Sequence, residues 1–487
     1  MEFKINFSGT GHRYTPEEVE LVGRVMNEAD PLTQGKYRNE FEAKFKAMMG
    51  LEHCFAVHTA TAALELSAQL CQFHPGDELI VPSHTYTASV YPFVKKGAKI
   101  VWCDIDLATR VVSANEIIPH ITPRTKAVLV PHIYGYMAEM EPIMELSKKH
   151  GFFVIEDVAQ AMGTERNGIQ AGAHGHFGIY SFHSHKNITT LGEGGMLALK
   201  DPAMAKILPA LRHNGHCPWD FKQSDYWVPA GINVDLPQLN GEYIQPNNYC
   251  LGEVECALGI KLLDRLDAIN DEKRARAIRF IDAMKDFPEI EFHRIDDRRH
   301  NYHLLVSRIT NGKSYDVLRK MAYEKQIKCV VQYYPLHRYD YYKKNGFGYA
   351  NVPNTDMFYD NMVSFPFQHW MSEDEIAPEN ILVSKVPGTF ELPLACQWLS
   401  ESGCDATLAL GCVVRGETPH FDYVCKAATD GVLRVGLDQN KPCIFGVLTT
   451  DTYEQATDRC GGKHGHKGRE ASETALWMLA LKNDLRK

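Results

Sequence analysis

Between residues 50 and 200, short apolar runs alternate with helical stretches: HCFAV, ELIVPS, AKIVWCDI, TKAVLVPHIYG, FFVIED, GIYSF and GGMLALK. Runs that are apolar throughout, bounded by helices, read as strands of a sheet covered on both faces. The rhythm predicts an α/β fold whose ligands lie beyond the carboxyl ends of the strands. From about Asn248 to Arg276 the pattern turns helical, CLGEVECALGIKLLDRLDAINDEKRARA included. A mixed segment containing NYHLLVSRI and IKCVVQYYPLH follows and predicts a second, smaller α/β domain. No internal repeat or low-complexity stretch interrupts the chain, and its character changes from about Asn380.

Composition narrows the class. The 487 residues, 44% hydrophobic and 23% charged, exclude disordered and fibrous chains and allow two or three domains at roughly 150 residues each. A net charge of -9 supplies no basic stripe for nucleic acid or an anionic membrane, so neither is an expected partner. Thirteen cysteines without a CxxC pair fit reduced thiols rather than disulfides or a metal site. The opening MEFKINFSGTGHRY lacks the apolar core of a signal peptide, and no segment offers the ~20 apolar residues of a membrane span. The expected compartment is the cytoplasm.

The residues just after the strands carry the candidate chemistry. Thr59 and Thr61 open an amphipathic helix after CFAV, where free amides and the helix dipole favour a phosphate; a plain threonine N-cap is the other reading. His84, Thr85 and Tyr86 follow ELIVPS, an aromatic group that stacks on a flat ring or packs in the core. Asp157 ends FFVIED, with Gln160 three residues on. A carboxylate there needs a partner, either a neighbouring arginine or helix N-terminus or a cationic ring nitrogen. Lys186 lies in SFHSHKNITTLGEGG between His185 and a glycine-rich tail, with His183 and His185 as tuners or as exposed loop residues. Phosphate cradle, aromatic plate, carboxylate and lysine are together what pyridoxal phosphate requires. A lysine amine titrates near about 10.4, so burial or neighbouring positive charge must favour its neutral form.

EDVAQAMG, YSFHSHKNITTLGEGG, IVPSHTYTAS and YYPLH resemble the DegT/StrS group of sugar aminotransferases over roughly residues 10 to 376. The resemblance implies a pyridoxal-phosphate-dependent transferase of fold type I, with a large PLP-binding domain of mixed sheet at 1–250 and a small domain at 251–379. It implies that Lys186 is the Schiff-base lysine and moves protons as general acid and base, Asp157 partners the pyridine nitrogen, and Gln160 lies beside the ring hydroxyl. Tyr86 takes the ring-stacking position; Ala60, Thr61 and Ser181 take phosphate-binding positions. Asn248 matches an asparagine that reaches a phosphate in the neighbouring subunit, which implies a homodimer. L-glutamate would donate nitrogen and a keto sugar, nucleotide-linked, would accept it, with residues 213–243 helping to line the acceptor site. Relatives that dehydrate have histidine in place of the lysine, so Lys186 favours transamination. Ala60 stands where the family usually has glycine, KNITTLGEGG is one residue longer than the commoner KNITTGEGG, and Cys250 replaces a frequent arginine.

The tail resembles a different family. VPGTFELPLA, ALGCVVRGETPHFDYV, IFGVLTTDTYEQATDRCGGKHGHKG and ASETALWMLALKNDL are similar to 6,7-dimethyl-8-ribityllumazine synthase of riboflavin biosynthesis, over residues 380–487. RGETPH after an apolar run places a hydroxyl, amides and a histidine at a strand end, suited to an anion and proton transfer. The resemblance makes His420 the proton-transfer residue, with Thr389, Phe390, Glu391 and Phe445 around the pyrimidine. Gly416, Glu417, Thr418, Arg459 and Lys467 would surround the butanone phosphate, and His466 stands where that family commonly has asparagine. Lumazine synthases begin with a strand and helix upstream of VPG, the strand lying inside a sheet of order 2-1-3-4, and the corresponding sequence is absent here. Loss of an interior strand exposes two ladder edges, each stranded buried group costing ~1 to 3 kcal/mol against a stability of ~5 to 15 kcal/mol. The expectation is an aminotransferase fused to an incomplete lumazine synthase-like module with lost activity. The alternatives are a bifunctional enzyme, and a module that drives higher assembly, since lumazine synthases form pentamers.

Overall fold

All seven apolar runs fold as strands, and in the computed structural model they form one sheet. They are β1 (His53–Val57), β2 (Glu78–Pro82), β3 (Lys99–Cys103), β4 (Thr125–Pro131), β5 (Phe153–Asp157), β6 (Phe177–Ser181) and β7 (Gly195–Leu199). The order is β1-β7-β6-β5-β4-β2-β3. The pairs from β6 through to β3 are parallel, and β7 runs antiparallel to both β6 and β1. Alternate residues of β4 enter different layers: Val128 and Val130 join one buried cluster, Ala127 and Leu129 the other. Both faces are therefore covered, as the apolar runs require.

The structure describes residues 3–219, 233–371 and 382–485. The chain divides into two compact units, Met1–Ile376 and Ala377–Lys487. Within the first unit, Asn248–Leu251 remain non-helical and the helical pattern begins only after Gly252, as two helices, Glu253–Leu263 and Leu266–Ala283. A three-stranded antiparallel sheet (Ile290–Phe292, Leu305–Ile309, Met362–Phe365) follows, with a core that includes Ala277, Tyr302, Leu305, Val363 and Phe365. NYHLLVSRI supplies its central strand. IKCVVQYYPLH, however, forms no strand; it contributes the bridges Ile327 to Ile5 and Val330 to Ser364. We retain the subdivision at residues 250 and 251 as a proposal, which this separate sheet and core support.

The second unit holds a two-stranded parallel sheet, Thr407–Val414 with Cys443–Thr450, flanked by helices Leu392–Glu401, His420–Asp438 and Lys467–Asp484. Its buried cluster contains Cys396, Ala409, Val432 and Val435. Large apolar side chains lie open beside it: Trp398 is 61% exposed, Leu437 73% and Trp477 79%. The second unit thus buries a small core beside a large exposed apolar surface. Residues 377–487 expressed alone are expected to bind a hydrophobic dye and to melt without a cooperative transition, measured by calorimetry. A sharp transition would show that the remaining core suffices.

Candidate active site

The carboxyl edge of the sheet collects the functional side chains because register fixes which residues end level. Pro131 pairs with Asp157, Ser181 with Gly195, and Gly195 with Val57. The turns after these residues surround a cavity of about 650 Å³ lined by Thr59, Ala60, Thr61, Tyr86, Ser89, Asp157, Gln160, Ser181 and Lys186 among others. Seven sequence-predicted residues thus meet there: Ala60, Thr61, Tyr86, Asp157, Gln160, Ser181 and Lys186. Asn248 does not; it is exposed and bridge-paired with His213. Part of the predicted acceptor stretch 213–243, residues 220–232, lies outside the described residues.

Each side chain is held by its neighbours. Thr59 caps the helix Ala60–Leu70, its oxygen accepting from Ala62 N at 3.0 Å, so the cap reading is correct while the amides of Ala60 and Thr61 keep no protein acceptor among the described residues. A Cβ on Gly195 would lie 2.6 Å from Ala60 N, which is why this helix start packs so close to β7. Ala60 is the first residue of that helix, a conformation that needs no glycine. The extra residue of KNITTLGEGG is absorbed by Leu191, which is exposed and left-handed at φ 58°. Cys250 donates to Arg212 O at 3.6 Å.

Among the described residues Asp157 has no arginine partner. Its oxygens accept from Ser89 Oγ at 2.6 Å and Ala159 N at 3.0 Å. Gln160 accepts from Tyr134 N at 2.6 Å through Oε1 and donates to Tyr333 Oη at 3.1 Å through Nε2. Tyr86, 55% exposed, meets Tyr333 edge to face at 5.7 Å. Ser181 Oγ accepts from His183 N at 3.3 Å. Beneath Asp157 lies the buried carboxylate of Glu156, which accepts from His132 Nε2 at 2.9 Å and from the amides of Gly172, His174 and Gly175. Burial raises its pKa, but the His132 hydrogen bond and those amides outweigh it and hold Glu156 below the ordinary carboxylate value. His132 Nδ1 accepts from Ala138 N, which leaves the proton on Nε2.

Lys186 is partly buried, and among the described residues no hydrogen bond or ion pair reaches its Nζ. Burial lowers its pKa to about 8, with the Asp157 charge pulling the other way. Desolvation, not the flanking histidines, is the tuner; His183 and His185 instead contact each other at 4.9 Å. The donor set fits pyridoxal phosphate: an unpaired, readily neutral amine, free amides at a helix start, hydroxyls of Thr61 and Ser181, and a hydrogen-bonded carboxylate. Sequence reasoning missed Ser89, Glu156, His132, His303 and Tyr333, although Tyr333 opens the YYPLH motif.

The candidate residues of the second unit present another picture. His420 begins the helix His420–Asp438 and is exposed, as are Gly416, Glu417, Thr418, Phe390, Glu391 and Phe445. Thr389 Oγ1 reaches Cys412 O at 3.5 Å, Arg459 donates to Gln455 O at 2.9 Å, Lys467 pairs with Glu470 at 2.6 Å, and His466 accepts from Arg469 N. No hydrogen bond among the described residues joins His420 to Arg459 or Lys467.

Given Lys186 at pKa about 8, cofactor uptake by the apoprotein is expected to accelerate from pH 7 to 9 and level off above, because only the neutral amine attacks an aldehyde. Stopped-flow absorbance reads this; a pH-independent rate would contradict the assignment of the amine.

Residues 13–379 match the DegT/DnrJ/EryC1/StrS aminotransferase family, and residues 356–483 match 6,7-dimethyl-8-ribityllumazine synthase, so the two matches overlap at 356–379. Spore coat polysaccharide biosynthesis protein SpsC of Bacillus subtilis is 30% identical over 370 residues, 74% of this chain and 92% of that protein. The structure of PseC from Helicobacter pylori, an aminotransferase of pseudaminic acid biosynthesis, shares the fold at TM-score 0.68 and 22% identity, covering 78% of this chain and 97% of that one. DesV of S. venezuelae, solved with a ketimine intermediate, is 27% identical with TM-score 0.64, covering 74% and 92%. The chain belongs to the DegT/DnrJ/EryC1/StrS aminotransferase family and is a pyridoxal-phosphate-dependent transaminase carrying a C-terminal stretch similar to lumazine synthase.

Proposed function

We propose that the protein transfers the amino group of L-glutamate to a nucleotide-linked keto sugar, with Lys186 as the catalytic lysine. The observation that carries this reading is the unpaired Lys186 amine in one cavity with Asp157 and the open helix start at Ala60. The relationship to SpsC, a polysaccharide biosynthesis protein, supports a sugar as acceptor. Bound pyridoxal phosphate supplies a carbonyl for the amine and a ring that withdraws electrons from the carbon bearing the transferred nitrogen.

The chain's own residues do the rest. The amides of Ala60 and Thr61 and the hydroxyls of Thr61 and Ser181 would bind the phosphate of the cofactor, and the exposed ring of Tyr86 would pack against its ring. Asp157, positioned by Ser89 and the Ala159 amide, would hold a proton on the ring nitrogen. Gln160 would orient the ring through its anchored amide, and Lys186 Nζ would serve as the general base and acid that moves the proton. We assign Asn248, exposed and off its own chain's cavity, to the phosphate site of a second subunit, and hence a homodimer. No described helix is long and apolar enough to cross a membrane, and we place the enzyme in the cytoplasm.

A second reading gives residues 380–487 lumazine synthase activity with His420 as proton carrier, resting on the match over 356–483. The open setting of Phe390 and Phe445, 59% and 39% exposed, favours a remnant without that activity. Lumazine formation from the pyrimidine and butanone phosphate is expected not to exceed that of His420→Ala; turnover above this control would establish the second reading.

For the leading reading, L-glutamate added to the PLP-loaded protein is expected to shift its visible spectrum to the amine form with release of 2-oxoglutarate. Lys186→Ala should lower that rate by at least about 100-fold, in the range for a lost general base. A spectrum unmoved by L-glutamate in the unmutated protein would overturn the donor assignment.

A further inference from the structure

His303 is buried and lines the same cavity as Lys186, yet the chemistry above does not use it. Its tautomer is fixed by a chain of hydrogen bonds that starts from a group able only to accept. Met162 O faces Asn270 at 2.9 Å, so the Asn270 atom there is the donor Nδ2. Asn270 Oδ1 then faces Asn187, which presents its own Nδ2 at 2.8 Å. What Asn187 has left is Oδ1, and this lies 3.2 Å from His303 Nδ1. The proton of the ring therefore sits on Nδ1. Burial, with the charges of Lys186, Lys273 and His185, keeps the ring neutral by lowering its pKa well below the ordinary value. A neutral ring has one N–H, so Nε2 is a lone pair, and it has no partner among the described residues.

The wall around it has the complementary polarity. Gln368 also lines the cavity and turns its Oε1 to Lys273 Nζ at 3.3 Å, which leaves the amide donor Nε2. Lys273 donates to His303 O at 3.0 Å, so acceptor and donor are anchored on one buried amine. A carboxylate or phosphate would be repelled by a fixed lone pair, whereas a hydroxyl both donates and accepts. Lys186 Nζ makes no hydrogen bond to His303.

We propose that His303 is a specificity-determining residue whose Nε2 accepts a hydrogen bond from a hydroxyl of the sugar acceptor, an assignment that rests on the sugar reading above. Asn187 acts as a positioning residue by imposing the tautomer.

The test separates the two half-reactions of the full-length, PLP-loaded protein. One is the spectral change with L-glutamate; the other is its reversal by a panel of nucleotide-linked keto sugars and their single-deoxy analogues. His303→Phe is expected to lower kcat/KM for the accepted sugar at least about tenfold more than it slows the glutamate half-reaction, chiefly through KM. His303→Gln, which restores an acceptor, should recover part of the loss. For the deoxy analogue that lacks the bonded hydroxyl, unmutated protein and His303→Phe should perform alike. Equal slowing of both half-reactions would place His303 on Lys186 or the cofactor and overturn the proposal, as would a full further loss by His303→Phe on every deoxy analogue. Ring ¹⁵N spectra of histidine-labelled protein give an independent reading, and a protonated Nε2 overturns it. An unmutated protein that answers L-glutamate but no sugar would refute the acceptor reading, and the role of His303 with it.

Discussion

A sheet covered on both faces is open to a ligand only at its ends, and this constraint organises the first unit. Six strands point the same way, and the antiparallel β7 enters the sheet at the edge where β6 and β1 leave it. Gly195 at that entry lets the helix start at Ala60 approach within van der Waals range of the sheet. Successive residues of a strand point to opposite faces, so β5 delivers two carboxylates to two tasks. Glu156 turns inward to His132 and three backbone amides and ties β5 and the turn after β4 to residues 172–175. Asp157 turns to the cavity, where Ser89 and the Ala159 amide hold it.

The electrostatics of the cavity follow from burial. Taking Lys186 from water favours its neutral amine, and the Asp157 carboxylate opposes the shift only in part. The result is an amine poised near neutral pH in a cavity that also holds the Asp157 carboxyl group. An amine that is readily neutral at working pH is what proton transfer by a lysine requires.

Much of this was legible in the sequence because it is local. The seven strands follow from contiguous apolar runs, and Lys186, Asp157, Gln160 and Tyr86 follow from their places after those runs. Groups set by distant contacts were not legible. Ser89 is brought to Asp157 from 68 residues away, and the state of the His303 ring depends on Asn187, Asn270 and Met162. IKCVVQYYPLH reads only as part of a mixed α/β segment, and its pairing is confined to isolated bridges, one of them to residue 5. Leu191 shows the converse: an added residue is harmless because the loop takes it up in a left-handed turn. In the second unit the motifs of lumazine synthase are plain, while the surrounding core that such motifs need is thin.

The central claim is that the cavity at the carboxyl edge holds pyridoxal phosphate on Lys186. Borohydride reduction of the PLP-loaded protein, followed by peptide mapping of the fixed cofactor, tests it most directly. The account requires the label on Lys186. A label on Lys273 or any other lysine, or none in folded protein saturated with cofactor, would contradict it.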